Sequence, residues 1–66
     1  MSNIDDYFHT MDRVLQIRVI GATMGLPPLE DMTDDQKKVV HRFLEIRINE
    51  GMEEYYRKLR RFLSQN

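Results

Sequence analysis

Apolar residues recur at helical spacing in the first third of the chain, and the pattern then stops at a loop. They follow steps of three and four, as on one face of an amphipathic helix, at Ile4, Phe8, Met11, Leu15, Val19 and Ala22. The segment Gly25-Leu26-Pro27-Pro28 comes next, in which glycine favours a left-handed helix cap and proline cannot continue a helix. We therefore predict a first helix over residues 3–24 and a loop over residues 25–32.

A short window inside this helix also fits a β-strand. Leu15, Ile17 and Val19 alternate with Gln16 and Arg18, and such alternation is typical of a half-buried strand. A lone strand would need a second copy of the chain to pair with. A dimer-paired strand over residues 15–20 is therefore the alternative to a helix there.

A second helix begins at a clear boundary. Thr33-Asp34-Asp35-Gln36 has the form of a capping box, in which the threonine and glutamine side chains satisfy backbone N–H groups of the first turn. Nothing after it forbids a continuous helix, and basic residues near residue 60 suit a helix C-terminus. We predict the second helix over residues 33–64.

The apolar positions of the second helix form two adjoining seams, more than one neighbouring helix can cover. At about 1.5 Å per residue this helix is about 45 Å long and the first about 30 Å, so a hairpin of the two leaves the last turns of the second without a neighbour. Five large side chains are expected to be uncovered there: Tyr55, Tyr56, Leu59, Phe62 and Leu63.

Two arrangements would cover these side chains, and both are all-α. In the one we favour, two copies of the helical hairpin form a homodimeric four-helix bundle. In the other, the long helix breaks near Gly51, since Asn49-Glu50-Gly51 resembles a helix end, and the remainder folds back in a monomeric three-helix bundle. Residues 1–66 form a single domain in either case.

Composition and charge limit how the chain can be stabilised, where it is found and what it binds. The chain has 66 residues and no cysteine, so no disulfide supports its small core. No signal-peptide pattern and no window of roughly 18 apolar residues is present, and we expect a cytoplasmic protein. Residues 1–36 hold seven acidic and two basic residues, whereas residues 37–66 hold eight basic and four acidic ones. Halves of opposite charge suit a hairpin closing on itself, or two copies packed antiparallel, at least as well as nucleic-acid binding.

Few side chains could carry out chemistry. The serines lie near the two ends, cysteine is absent, and no Ser-His-Asp arrangement is recognisable. Asp5 or Asp6 with His9 would offer two metal ligands from one helical turn, but zinc takes three or four, and His41 is remote. We predict a protein that is not an enzyme and that binds no metal or cofactor.

A surplus apolar face without a catalytic set is typical of a protein-protein interaction module. We expect a small regulator or inhibitor of a larger protein, of the kind that phages and mobile elements encode. Tyrosine and arginine often anchor interfaces. The predicted partner-binding residues are therefore Tyr55, Tyr56, Leu59, Phe62 and Leu63, with Arg57, Arg60 and Arg61 at their rim.

The same end of the chain supports two other kinds of ligand. The run Arg57-Lys58-Leu59-Arg60-Arg61 with nearby aromatics could neutralise phosphates and stack bases, although a pI of about 6.1 is far from that of a typical nucleic-acid binder. A membrane-surface protein would bury Phe62 and Leu63 in an anionic bilayer. Both stay as alternatives to a protein partner.

Three short stretches are similar to the small enterobacterial nucleoid modulators of the Hha and YmoA type. They are Asp6-Tyr7, Thr33-Asp34-Asp35 and Glu45-Ile46-Arg47-Ile48-Asn49-Glu50. The last resembles the family's Asp-His-Arg-x-Ala-Glu stretch, with Ile46 in place of the histidine and Asn49 in place of the alanine. The resemblance implies an all-helical protein that binds a larger nucleoid protein and so modulates transcription.

Overall fold

The chain is composed of helices joined by short turns. A computed structural model describes residues 4–65, with side chains from Tyr7 onward. Four α-helices follow in order: α1 (Ile4–Thr10), α2 (Arg13–Thr23), α3 (Asp34–Glu50) and α4 (Met52–Ser64), with a 3₁₀ turn at Leu29–Asp31 between α2 and α3. No strand occurs within residues 4–65. The all-α prediction is confirmed, and the strand alternative for residues 15–20 is wrong because α2 contains them.

The first predicted helix is in fact two helices. α1 ends at Thr10 and α2 begins at Arg13, because the backbone at Asp12 is extended (φ −71°, ψ 168°). The Asp12 carboxylate accepts a hydrogen bond of 2.9 Å from the backbone N–H of Leu15 and so caps the start of α2. The prediction of one continuous helix over residues 3–24 is therefore wrong, and its first residue lies outside the described part of the chain.

Both predicted boundaries of the central loop are present. Gly25 follows α2 with φ 76°, and the N–H of Leu26 donates to the carbonyl of Gly21 at 2.9 Å, which is the Schellman end of a helix. At the start of α3, the Thr33 hydroxyl accepts from the N–H of Gln36 at 3.1 Å, and the Gln36 side chain accepts from the N–H of Thr33 at 2.9 Å. The predicted capping box is confirmed.

The second predicted helix is interrupted at Gly51. Its backbone (φ 95°, ψ 171°) ends α3 and starts α4, and an L-residue rarely adopts that conformation. The prediction of one helix over residues 33–64 is wrong, whereas the break near Gly51 that the alternative required is confirmed. Since α1 and α2 are also separate, the described range has four α-helices instead of the three of that alternative.

The break allows α4 to fold back and complete the core. The Phe43 ring of α3 lies edge-on to Tyr55 and Phe62 of α4, with ring centroids 6.2 Å and 5.3 Å apart. The Tyr55 hydroxyl hydrogen-bonds the Thr23 hydroxyl at the end of α2. The buried apolar residues come from every helix: Phe8, Ile17, Ile20, Met24, Met32, Val40, Phe43, Leu44, Tyr55 and Leu59.

α1 is attached to the rest of the molecule through Phe8. The Phe8 ring is buried, and the guanidinium of Arg47 lies over its face, 4.6 Å from the ring centroid. The Gln16 side chain of α2 donates a hydrogen bond of 3.1 Å to the Phe8 carbonyl. One residue therefore fastens α1 to both α2 and α3.

Candidate interaction surfaces

α4 has an inner face that belongs to the core. Tyr55 and Leu59 are 2% and 4% exposed, one turn apart, and both are covered by the same chain. The expectation that these two predicted partner-binding residues lie uncovered is therefore wrong. The physical reason is the turn at Gly51, which lays α4 against α3 and Thr23 instead of extending it beyond them.

α4 also has an outer face, where four exposed side chains follow one another at steps of three and four. We call this the outer stripe: Glu53, Tyr56, Arg60 and Leu63. Tyr56 and Leu63 are each 44% exposed, which is high for large apolar side chains. The Tyr56 ring lies edge-on to the buried Tyr55 ring, with ring centroids 5.2 Å apart. This contact with a core residue positions Tyr56 within the outer stripe.

The charges of α4 divide between paired and unpaired groups. Arg57 donates to the Glu54 carboxylate at 2.8 Å and 2.6 Å, and these hydrogen bonds raise the pKa of Arg57 and lower the pKa of Glu54. Within the described residues, no ion pair involves Glu53, Arg60 or Arg61. The outer stripe therefore has a free carboxylate at one end and a free guanidinium two turns later.

A groove runs between α3 and α4 on another side of the molecule. Its volume is about 580 Å³, and its apolar lining consists of Phe43, Ile46 and Phe62. Polar residues of both helices complete the lining: Arg42, Glu45, Asn49, Glu50, Lys58, Arg61 and, after α4, Gln65. We call this space and the residues that line it the groove.

An ion pair joins the two helices near the end of the groove that is closest to Gly51. The Lys58 ammonium on α4 lies 2.8 Å from the Glu50 carboxylate at the end of α3. Arg42, by contrast, forms no ion pair with any residue of the described range. The groove is thus bridged at one end, whereas the Arg42 and Arg61 guanidiniums that line it are available to a ligand.

Of the eight predicted partner-binding residues, six reach the surface, though not the same surface. Tyr56, Arg60 and Leu63 are in the outer stripe, and Arg61 and the partly buried Phe62 are in the groove. Arg57 is exposed and bound to Glu54. Arg42 and Ile46 of the groove were missed, although Arg42, Glu45, Ile46 and Asn49 recur at helical spacing and so share one face of α3.

The residues considered as metal ligands in the sequence do not form a cluster within residues 7–65. Between residues 7 and 65, no three His, Asp or Glu side chains come together as metal ligands would. His9 and His41 are exposed on α1 and α3, and the Asp5 and Asp6 side chains are outside those described. None of the helices in this range is long and apolar enough to span a bilayer.

No family model, curated protein or solved structure matches this chain. The similarity to Hha and YmoA therefore stays a prediction based on the stretches quoted above. In the structure, the longest of these, residues 45–50, forms the last turns of α3, with Arg47 buried against Phe8 and Ile48 36% exposed.

Proposed function

We propose that this chain is a non-enzymatic interaction module that regulates or inhibits a larger protein by binding one of its segments in the groove. The observation that carries the proposal is that apolar side chains and two guanidiniums, one from each helix, line the same groove, and that neither guanidinium forms an ion pair within the described residues. Apolar grooves with a few convergent polar groups are the usual form of a binding site. Arginine and aromatic side chains supply most of the energy at protein interfaces.

The chemistry of the groove indicates the chemistry of the segment. A large apolar side chain would pack on the partly exposed Ile46 and Phe62 and remove their exposed surface from water, at about 25 cal/mol per Å². Carboxylates beside it would bind Arg42 and Arg61, since a guanidinium binds a carboxylate through two parallel hydrogen bonds. An amphipathic helix with acidic residues next to its apolar face meets both requirements.

The core keeps the groove ready for such a ligand. The Phe43 and Phe62 rings contact each other across the two helices, and Phe43 also contacts the buried Tyr55. The Lys58 to Glu50 ion pair adds a second link between α3 and α4. A preformed groove loses little conformational entropy on binding, which favours affinity.

The test is to place a photo-crosslinking residue in the groove and then to reconstitute the complex. With p-benzoylphenylalanine at position 49, where Asn49 is exposed and lines the groove, irradiation in the natural host should give a covalent adduct with one protein, which mass spectrometry identifies. The same residue at position 37, an exposed site on α3 outside the groove, should not give that adduct.

Variants of the groove then decide whether the captured protein is a true partner. With both proteins purified, Phe62→Ala and Arg61→Glu should each weaken binding by at least about tenfold. The matched control is Lys37→Glu, which reverses an exposed charge on α3 outside the groove and should leave affinity unchanged. Equal affinity for wild type and both groove variants would refute the proposal.

Nucleic acid is the second candidate, and exposed Tyr56 among Arg57, Arg60 and Arg61 favours it. A base could stack on the Tyr56 ring while the guanidiniums bind phosphates. This function predicts binding to DNA or RNA that weakens steeply between about 50 and 200 mM salt. Absence of binding in a gel-shift assay at about 50 mM salt would exclude it.

A further inference from the structure

The outer stripe of α4 is complementary to itself. Glu53 and Arg60 are seven residues apart, or about 10 Å along the helix, and so point to nearly the same side. Both are exposed, and neither forms an ion pair with any residue between 7 and 65. Tyr56, at 44% exposure, lies between them. A helix with an acid at one end of a stripe, a base at the other and an aromatic ring in the middle fits an antiparallel copy of itself.

A twofold axis near Tyr56 satisfies all of these groups at once. In a twofold contact each residue pair occurs twice, so Glu53 of each copy lies opposite Arg60 of the other. The two Tyr56 rings meet beside the axis, close to the Arg57 side chains, whose charges are already balanced by Glu54. Leu63 of each copy then reaches the Gly51 turn of the other, where the glycine has no neighbouring atom within 4 Å of its Cβ position.

We propose that this chain forms a twofold-symmetric dimer through the outer stripe, with two copies of α4 antiparallel and Glu53 paired with Arg60 in both directions. The dimer leaves the groove open, because Arg42 and Arg61 are outside the stripe. It is a homodimer, as the apolar surplus in the sequence led us to expect, but it uses the outer side of α4 instead of the buried Tyr55 and Leu59. One dimer presents two grooves and so binds two segments of a larger protein.

The decisive experiment exchanges the charges between subunits. A chain carrying Arg60→Glu has two acids on the stripe and should repel its own copy, and a chain carrying Glu53→Arg has two bases and should do the same. In a one-to-one mixture, the acids at positions 53 and 60 of the first chain face the arginines at positions 60 and 53 of the second, so both contacts are restored. Sedimentation equilibrium over roughly 5 to 500 µM measures the dimer in each sample.

We expect each single variant to raise the dimer dissociation constant by at least about tenfold, and the mixture to return it to within about threefold of wild type. Arg61→Glu is the matched control, since it reverses an adjacent charge outside the stripe and should dimerise like wild type. Circular dichroism of each variant establishes that it is folded. The dimer should also weaken in about 1 M salt, where charge interactions are screened.

Three results would overturn the proposal. They are a wild type that is monomeric at every concentration, a dimer that neither single variant affects, and a mixture that stays monomeric although both variants are folded. None of these results bears on binding in the groove, because the crosslink at position 49 and the affinity of the Arg61→Glu variant test that proposal separately.

Discussion

Tyr55 and Tyr56 are adjacent and of the same residue type, yet they belong to opposite regions of α4. Tyr55 is 2% exposed, packs on Phe43 and reaches the Thr23 hydroxyl. Tyr56 is 44% exposed and touches its neighbour ring by an edge. The inner face of α4 holds the fold together, and the outer face contributes little to it.

The same division repeats one and two turns later, at Leu59 and Leu63, which are 4% and 44% exposed. Apolar side chains on the inner face are accounted for by folding alone. Those on the outer face are not, since large exposed apolar residues beside arginines are more typical of an interface than of a free surface. The difference shows that an apolar residue count along a helix overstates the surface available to a partner.

The largest expected effect comes from truncating the inner tyrosine. Tyr55→Ala removes a fully buried ring and should lower the free energy of unfolding by about 3–5 kcal/mol. Tyr56→Ala should lower it by no more than about 1 kcal/mol, because most of that ring stays in water. Denaturant unfolding followed by circular dichroism measures both, with Tyr55→Leu as a milder change if the alanine variant does not fold. Equal losses at the two positions would contradict the division of α4 into two faces.

The intermediate effect tests what creates the two faces. An L-alanine at position 51 must adopt φ 95° or extend α3 into α4, and either should lower the free energy of unfolding by about 1–3 kcal/mol. D-Alanine at the same position in a synthetic chain accepts positive φ, and the Cβ position of Gly51 has open space around it. It should therefore be at least as stable as wild type. A loss with both isomers would mean that backbone conformation is not the cause.

The smallest effect concerns the Tyr55 hydroxyl at high pH. Burial raises the pKa of Tyr55 above its ordinary value near 10, and the hydrogen bond between the Tyr55 and Thr23 hydroxyls offsets only part of this. Because the folded chain holds this proton more tightly, stability is retained below about pH 10 and lost as the pH rises through the folded pKa. Tyr55→Phe should therefore lose less stability than wild type between about pH 9 and 11, as measured by thermal unfolding at each pH. If wild type and Tyr55→Phe lost the same stability over this pH range, the Tyr55 hydroxyl would not be the cause of the loss.

The local signals in the sequence were enough for much of the fold. Thr33 and Gln36 indicated the start of α3, and Gly25 with its prolines indicated the end of α2, because caps and left-handed turns depend on residues within one helical turn. The break at Asp12 was missed since the apolar spacing continues across it from Phe8 to Leu15. Periodicity reports which residues share a face and does not report whether the helix is continuous.

Gly51 shows why the candidate sites were harder to predict. A helix-interior glycine costs only about 1 kcal/mol, so local energetics left the continuous and broken helices nearly equal. The choice depended on the burial of Tyr55 and Leu59, which becomes favourable only when α4 lies on α3. For the same reason the groove could not be foreseen, because its apolar lining joins Phe43 and Ile46 to Phe62 across that turn.

The contact between Arg47 and Phe8 links two positions that are far apart in the sequence. Both residues are buried, with the Arg47 guanidinium over the Phe8 ring, 4.6 Å from its centroid, and the position of α1 depends on both. Replacing Phe8 with an aliphatic residue would leave the Arg47 guanidinium without the aromatic face it lies on. We therefore expect substitutions at residues 8 and 47 to be energetically coupled, whereas substitutions at separate exposed positions should have additive effects.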